Sequence, residues 1–392
     1  MQKKRLAAIA AAAATASLLL AACGSTSPSS SSNSPILIGV PVPLSGPYAS
    51  AGTDIVDGAK LAAAKVNSNG GVLGRKIQIV PVDDACDAQT AAQAAQKLIS
   101  DNVTAVAGGY CSSASLPELQ VFHQNGDIPF VLDASTNPQL TQYGYNDVFR
   151  TIGRDDEQGP FAANFIANYL HAKKVVVMDD ASTYAAGLAQ NTIDALNKYP
   201  GITVIHQTIT PGQSDYTSEL THIASLHPDV LYYTGYFTEA GLLLKQAATL
   251  GLKFQIMGGD ATNDPTVIKT AGAAANNFII TTAPLAQFLG TAKSYVTDYT
   301  AKYGQAPGPY SVYEYDAVSV LAQAIKSAGS TKASAINAAL HKVKDYQGMT
   351  GTFSFNKVGD RTPAVYITLK IVNQQFTAFQ ELNSSGQWVS VP

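Results

Sequence analysis

Residues 108–117 read GGYCSSASLP, a cysteine and two serines directly after the apolar run VTAVAGG. Two chemistries suit that pattern. Cys111 or a neighbouring serine is a nucleophile if a base lies within hydrogen-bond reach. Alternatively, hydroxyls and unpaired backbone N–H groups at a helix start grip an anion, because the dipole and the free donors both favour negative charge. Similar residues follow other apolar runs: Ala134, Ser135 and Thr136 before Asn137-Pro138, Tyr184 in DDASTYAAG, Tyr236 in YYTGYFTE and Asp260 in GGDATND. An anion grip on one side, a lone carboxylate on the other and tyrosine walls between them complement a zwitterion such as an α-amino acid.

The nucleophile reading lacks a base. The six histidines are His123, His171, His206, His222, His227 and His341, and none falls in these loops. His222 and His227 are spaced i, i+5, which spreads them around a helix rather than facing one metal. No GxSxG, GxxxxGK or CxxC motif occurs. The expectation is a carrier with no catalytic residue, no cofactor and no metal. A Cys- or Ser-dependent amidase is the rival, and it requires a free thiol at Cys111.

These loops need strands and helices to position them. ILIGV (36–40), KIQIVPVDD (76–84), VTAVAGG and IPFVLD (128–133) read as strands. Helical stretches separate them: Ile55, Ala59, Ala62 and Val66 recur at helical spacing and stop at Asn69-Gly70-Gly71, while 87–101 is a second helix with Asp87 near its cap. After GRDDEQGP (153–160) a second set begins, with strands KVVVM, ITVIHQ, DVLYYTG, KFQIMGG and NFIITT. From Gln287 to about Val343 the pattern is helical, and GTFSFNKVGDR followed by AVYITLKIVNQQFTAFQ alternates as an antiparallel hairpin does. Repeated strand–helix–strand units predict α/β architecture with two Rossmann-like lobes, and in such sheets ligands bind beyond the carboxyl ends of the strands.

The whole chain narrows the class. Its 392 residues carry 25 basic and 28 acidic side chains, with no basic run, so nucleic acid is not an expected partner. MQKKR, an apolar core and LAAC (20–23) read as a signal peptide over 1–22 with Cys23 as a lipidated N-terminus, and 23–34 is a Ser/Pro-rich tether. Past the leader no run approaches the ~18 apolar residues of a membrane span. Of the three cysteines, Cys86 and Cys111 remain, an even pair in an exported setting. A bridge between them would close a loop of about 25 residues and contribute about 3 kcal/mol on the chain-entropy model.

From Ile36 onward the chain resembles the substrate-binding proteins of branched-chain amino acid ABC transporters, the Leu/Ile/Val-binding family. The residues that carry the resemblance are PLSGPYASAG, NGGVLGRKIQIVPVDDACD, GGYCSS, FRTIGRDDEQGP, YAAGLA, YYTGY and GGD. It implies a type I periplasmic-binding fold with three crossover segments and ligand in the interlobe cleft. The N-terminal lobe would be 35–154 with 284–365, and the C-terminal lobe 155–283 with 366–392. It also implies a Cys86–Cys111 disulfide. Ser112 and Thr136 would hold the ligand carboxylate, with the Ala134 carbonyl and Thr136 hydroxyl near the ammonium. Tyr236 would add a polar contact, Tyr110, Tyr184 and Tyr310 would wall the side chain, and Asp260 would pair with the ammonium. Some relatives carry Glu where Asp260 stands and Tyr where Ala51 stands, so a wider pocket is expected. The implied protein is an exported monomer, lipid-anchored at the outer face of the cytoplasmic membrane or in the periplasm. It would deliver an aliphatic amino acid to ABC permease subunits. Amides, urea or aromatic acids are alternative cargoes, and a sensor ectodomain is an alternative role.

Overall fold

The structure is a computed structural model that describes residues 34–391; the leader, Cys23 and the tether through Asn33 lie outside the described residues. The first unit begins with β1 (Ile36–Val42), α1 (Ala49–Ser68), β2 (Ile77–Asp83) and α2 (Ala88–Ser100). It continues with β3 (Ala105–Gly108), α3 (Ser112–Gln124), β4 (Phe130–Leu132) and β5 (Val148–Arg150). The five strands form one parallel sheet in the order β2-β1-β3-β4-β5. Asp87 caps α2 as its sequence position predicts, its side chain accepting from Thr90 N–H.

The second set comprises α4 (Asp155–Asn164), β6 (Lys174–Asp179), α5 (Thr183–Leu196), β7 (Thr203–Thr208) and α6 (Thr217–Ser225). It goes on through β8 (Val230–Tyr233), α7 (Phe237–Thr249), β9 (Gln255–Gly258), α8 (Pro265–Ala271) and β10 (Ile279–Thr282). Val175, Val176, Val177 and Met178 of β6 are all buried, because a central parallel strand is covered on both faces. Each such side chain contributes about 1.5–3 kcal/mol through burial.

The chain then returns to the first sheet. Helices α9 (Lys293–Tyr303), α10 (Ser311–Ala328) and α11 (Ala333–Leu340) follow, and α10 packs on α1, β3 and β4. Gly58 of α1 makes that contact possible: a Cβ there would meet the Ser311 carbonyl oxygen at 2.1 Å. Among the described residues no helix is long and apolar enough to cross a membrane.

Helix α4 begins inside GRDDEQGP, at Asp155. One expectation needs correction. The C-terminal alternation is not one hairpin. Strands β11 (Tyr346–Gly348), β12 (Gly351–Phe355) and β13 (Arg361–Thr362) make a separate three-stranded sheet. Strands β14 (Ile367–Val372), β15 (Gln375–Leu382) and β16 (Trp388–Ser390) instead extend the second sheet, with β14 antiparallel to β10. Period-two alternation reports a strand with one buried face but not the strand it pairs with.

Candidate functional site

Gly109 turns β3 into α3. It holds φ +93°, and a Cβ would lie 2.6 Å from Ser115 Oγ and 2.9 Å from the Leu132 side chain. Cys111 caps the helix and is disulfide-bonded to Cys86, with Cα atoms 5.4 Å apart. Its sulfur is thereby unavailable as a thiolate, which removes Cys111 as a nucleophile. Ala114 and Ser115 donate to the Cys111 carbonyl at 2.9 and 3.0 Å, so the Ser112 and Ser113 N–H groups precede the helical ladder. Ser112 is fully buried, and its Oγ accepts from the Asn137 N–H at 3.4 Å.

The loop after β4 is clamped from below. Arg150 is fully buried and donates to the carbonyls of Ser135 and Asn137 at 3.0 and 3.1 Å, while Asp360 neutralises it at 3.1 Å. The hydroxyls of Ser115 and Ser135 lie 2.8 Å apart and tie this loop to α3. Ala134 is buried in the same loop, and Thr136 presents a buried Oγ1 with no hydrogen-bond partner among the described residues.

Facing these loops are the strand ends of the second sheet. Tyr184 lies in the first turn of α5, Tyr236 caps α7, and Asp260 follows β9. Asp260 accepts from the Tyr184 hydroxyl at 2.7 Å and from that of Tyr310, the residue before α10, at 3.2 Å. Tyr236 lies 5.3 Å from Tyr184 and 5.9 Å from Tyr110, ring centre to ring centre, and Tyr110 lies 5.5 Å from Tyr310. Burial raises all four phenols, so they remain neutral donors. The Tyr236 hydroxyl has no partner among the described residues.

A second acid stands in the same place. Asp155 opens α4, is fully buried, and donates its N–H to the Thr136 carbonyl at 3.0 Å. Its carboxylate oxygens make no hydrogen bond of good geometry among the described residues, although the Thr136 hydroxyl and the Arg150 charge both act to lower its pKa. Burial pushes its carboxyl well above the usual range, and the charge of Asp260 pushes it further. Burial likewise raises Asp260, and the Tyr184 hydroxyl pulls it partly back. Neither carboxyl makes a salt bridge among the described residues, and two neighbouring buried acids of this kind favour a cation beside them.

Comparison with known proteins places the chain in a family. The family described as periplasmic binding protein matches residues 35–373. The chain belongs to the periplasmic binding protein family. Leu/Ile/Val-binding protein homolog 1 of Brucella abortus is 32% identical over 335 residues, covering 86% of this chain and 90% of that protein. An amino acid binding protein of Pseudomonas aeruginosa is 34% identical, covering 85% of this chain and 89% of its own length. The leucine binding protein LivK of Thermotoga maritima superposes with a TM-score of 0.84 at 29% identity, covering 90% and 100% of the two chains. The substrate-binding protein LivJ of Streptococcus pneumoniae, solved with isoleucine, gives a TM-score of 0.81 at 29% identity, covering 91% and 99%. The architecture is that of type I periplasmic binding proteins.

Within this family fold, Tyr110, Tyr184, Tyr236, Asp260 and Tyr310 form one contacting cluster, with Thr136 joined to it through Asp155. Sequence reasoning missed three members. Asp155 lies inside GRDDEQGP, where an acid at a helix start reads as a favourable dipole partner. Tyr48 packs 4.7 Å from Tyr236 and 5.6 Å from Phe237 across the cleft. Asn137 reaches across too, its amide donating to the Thr183 carbonyl at 2.7 Å. No local pattern marks Tyr48 or Asn137, because each acts on a residue more than forty positions away.

Proposed function

We propose that this protein captures an α-amino acid with an aliphatic side chain by closing two lobes around it, and delivers it to an ABC permease. The observation that carries the reading is the pair Asp155 and Asp260, buried and with no salt-bridge partner among the described residues, opposite the N–H groups and hydroxyl that open α3. A zwitterion satisfies both ends at once: ammonium to the acids and the Thr136 hydroxyl, carboxylate to Ser112 and the helix start. Tyr110, Tyr184, Tyr236, Tyr310 and Tyr48 enclose the side chain. The Leu/Ile/Val-binding relatives and the isoleucine-bound structural neighbour support the same cargo class.

The mechanism is population shift. Ligand favours the closed form only through contacts made to both lobes together. We assign the lobes as 35–154 with 284–365, and 155–283 with 366–392. This division is supported by the chain's passage between the two sheets near residues 151–154, 283–285 and 363–366. In our reading the protein is exported, monomeric and anchored by lipid on Cys23.

A thermal-shift screen of the purified protein against amino acids, amides, urea and benzoate tests the cargo. Ligand at 100 times its Kd adds about 2.7 kcal/mol of stability, which is a shift of a few degrees. Leucine, isoleucine or valine should produce it. A shift with urea or benzoate and none with any amino acid would overturn the reading.

A further inference from the structure

At the opposite end of the first sheet from the cleft, three side chains converge. His123 is in the last turn of α3, Asp127 is in the turn that follows, at φ 53°, and Asp147 immediately precedes β5. The His123 Nδ1 lies 3.0 Å from Asp127 Oδ1 and 3.2 and 3.3 Å from the two oxygens of Asp147. One ligand atom from each residue falls within 4.8 Å of the others.

A hydrogen-bond account of this cluster is incomplete. Nδ1 carries at most one hydrogen, yet two carboxylates face it. Among the described residues no Lys or Arg pairs with either acid, and the Asp147 side chain is 1% exposed. Even with a protonated imidazole, one negative charge remains uncompensated beside a buried carboxylate. A divalent cation held by two carboxylates and a neutral imidazole leaves none.

The spacing fits such an ion. Bonds of about 2.0–2.1 Å to a tetrahedral metal place neighbouring ligand atoms about 3.3 Å apart. The contacts from His123 to the two acids are already within a few tenths of that edge. The ligands are also held in place. Tyr145 stacks on the imidazole at 3.7 Å and 15°, and the Asn337 amide donates to the Asp127 carbonyl at 2.7 Å. His123 is 32% exposed and Asp127 48% exposed, which leaves an open side for water as the fourth ligand.

We infer that His123, Asp127 and Asp147 form a binding site for Zn2+ or a similar borderline divalent ion, separate from the amino acid cleft. An imidazole nitrogen with two carboxylates suits zinc rather than calcium or magnesium, which take all-oxygen ligand sets.

Calorimetric titration of the purified protein with zinc chloride alone, in a non-chelating buffer, tests the site. The wild type should bind one ion that Asp127→Asn and His123→Ala each weaken by about tenfold or more. Replacement by Co2+ should give the visible absorption of a four-coordinate ion in the wild type and not in His123→Ala. Amino acid affinity should be the same in all three proteins. Asp127 is exposed, so its variant reports on the site without disturbing the core. Zinc binding absent from the wild type, or equal in wild type and both variants, would overturn the assignment.

Discussion

Replacing Asp260 by asparagine keeps the shape of the side chain and removes its charge. In the wild type the carboxylate is buried and receives the Tyr184 and Tyr310 hydroxyls at 2.7 and 3.2 Å. Removing one partner of a buried ion pair costs about 3–5 kcal/mol, and Asp155 remains to take part of the ammonium's charge, so the lower end applies. About 3 kcal/mol weakens amino acid binding roughly 150-fold, read by isothermal titration with leucine or isoleucine. The ligand-free protein should not lose stability in the same proportion, because the substitution also relieves repulsion between two buried acids. The melting temperature without ligand should therefore hold or rise while the ligand-induced increment shrinks. Asp155→Asn should behave alike, and the double variant should show non-additive losses, since the two groups share one partner. A Kd for Asp260→Asn within threefold of wild type, in a folded protein, would refute the pairing.

Three further outcomes follow from the geometry. Burial holds the Asp84 carboxyl at about 7 against 3.8 unfolded, so its stabilising contribution is complete below about pH 4 and is lost as pH rises through 7. This amounts to about 4 kcal/mol, and denaturant titrations at pH 5 and pH 8 should show a slope that Asp84→Asn flattens; equal slopes would count against it. Asn137→Ala deletes the 2.7 Å bond to the Thr183 carbonyl across the cleft. It should weaken ligand binding by about 1 kcal/mol, roughly fivefold, with unchanged affinity as the contrary result. Reduction of the Cys86–Cys111 bridge should cost about 3 kcal/mol of stability. Peptide mapping without reductant should find neither cysteine alkylated, and an alkylated Cys111 would revive the nucleophile reading.

Much of the strand and helix order was legible in the chain itself, for a local reason. Apolar spacing at two or 3.6 residues records which face is buried, and Gly, Asn and Asp at fixed offsets mark the ends, as Asp87 and Asn69 do. The loops beyond the strands could therefore be picked out, and with them Ser112, Thr136, Tyr236 and Asp260. The partner of each group could not. Asp155 and Asp156 are neighbours of the same type in one motif. Tertiary packing alone left Asp155 fully buried with no salt-bridge partner among the described residues, while Asp156 pairs with the half-buried Arg154. The C-terminal strands show the same division: alternation announced them, but long-range pairing decided that β12 leaves the second sheet and β14 joins it. Secondary structure is encoded by neighbours along the chain. Whether a buried charge is satisfied depends on what folding brings opposite it.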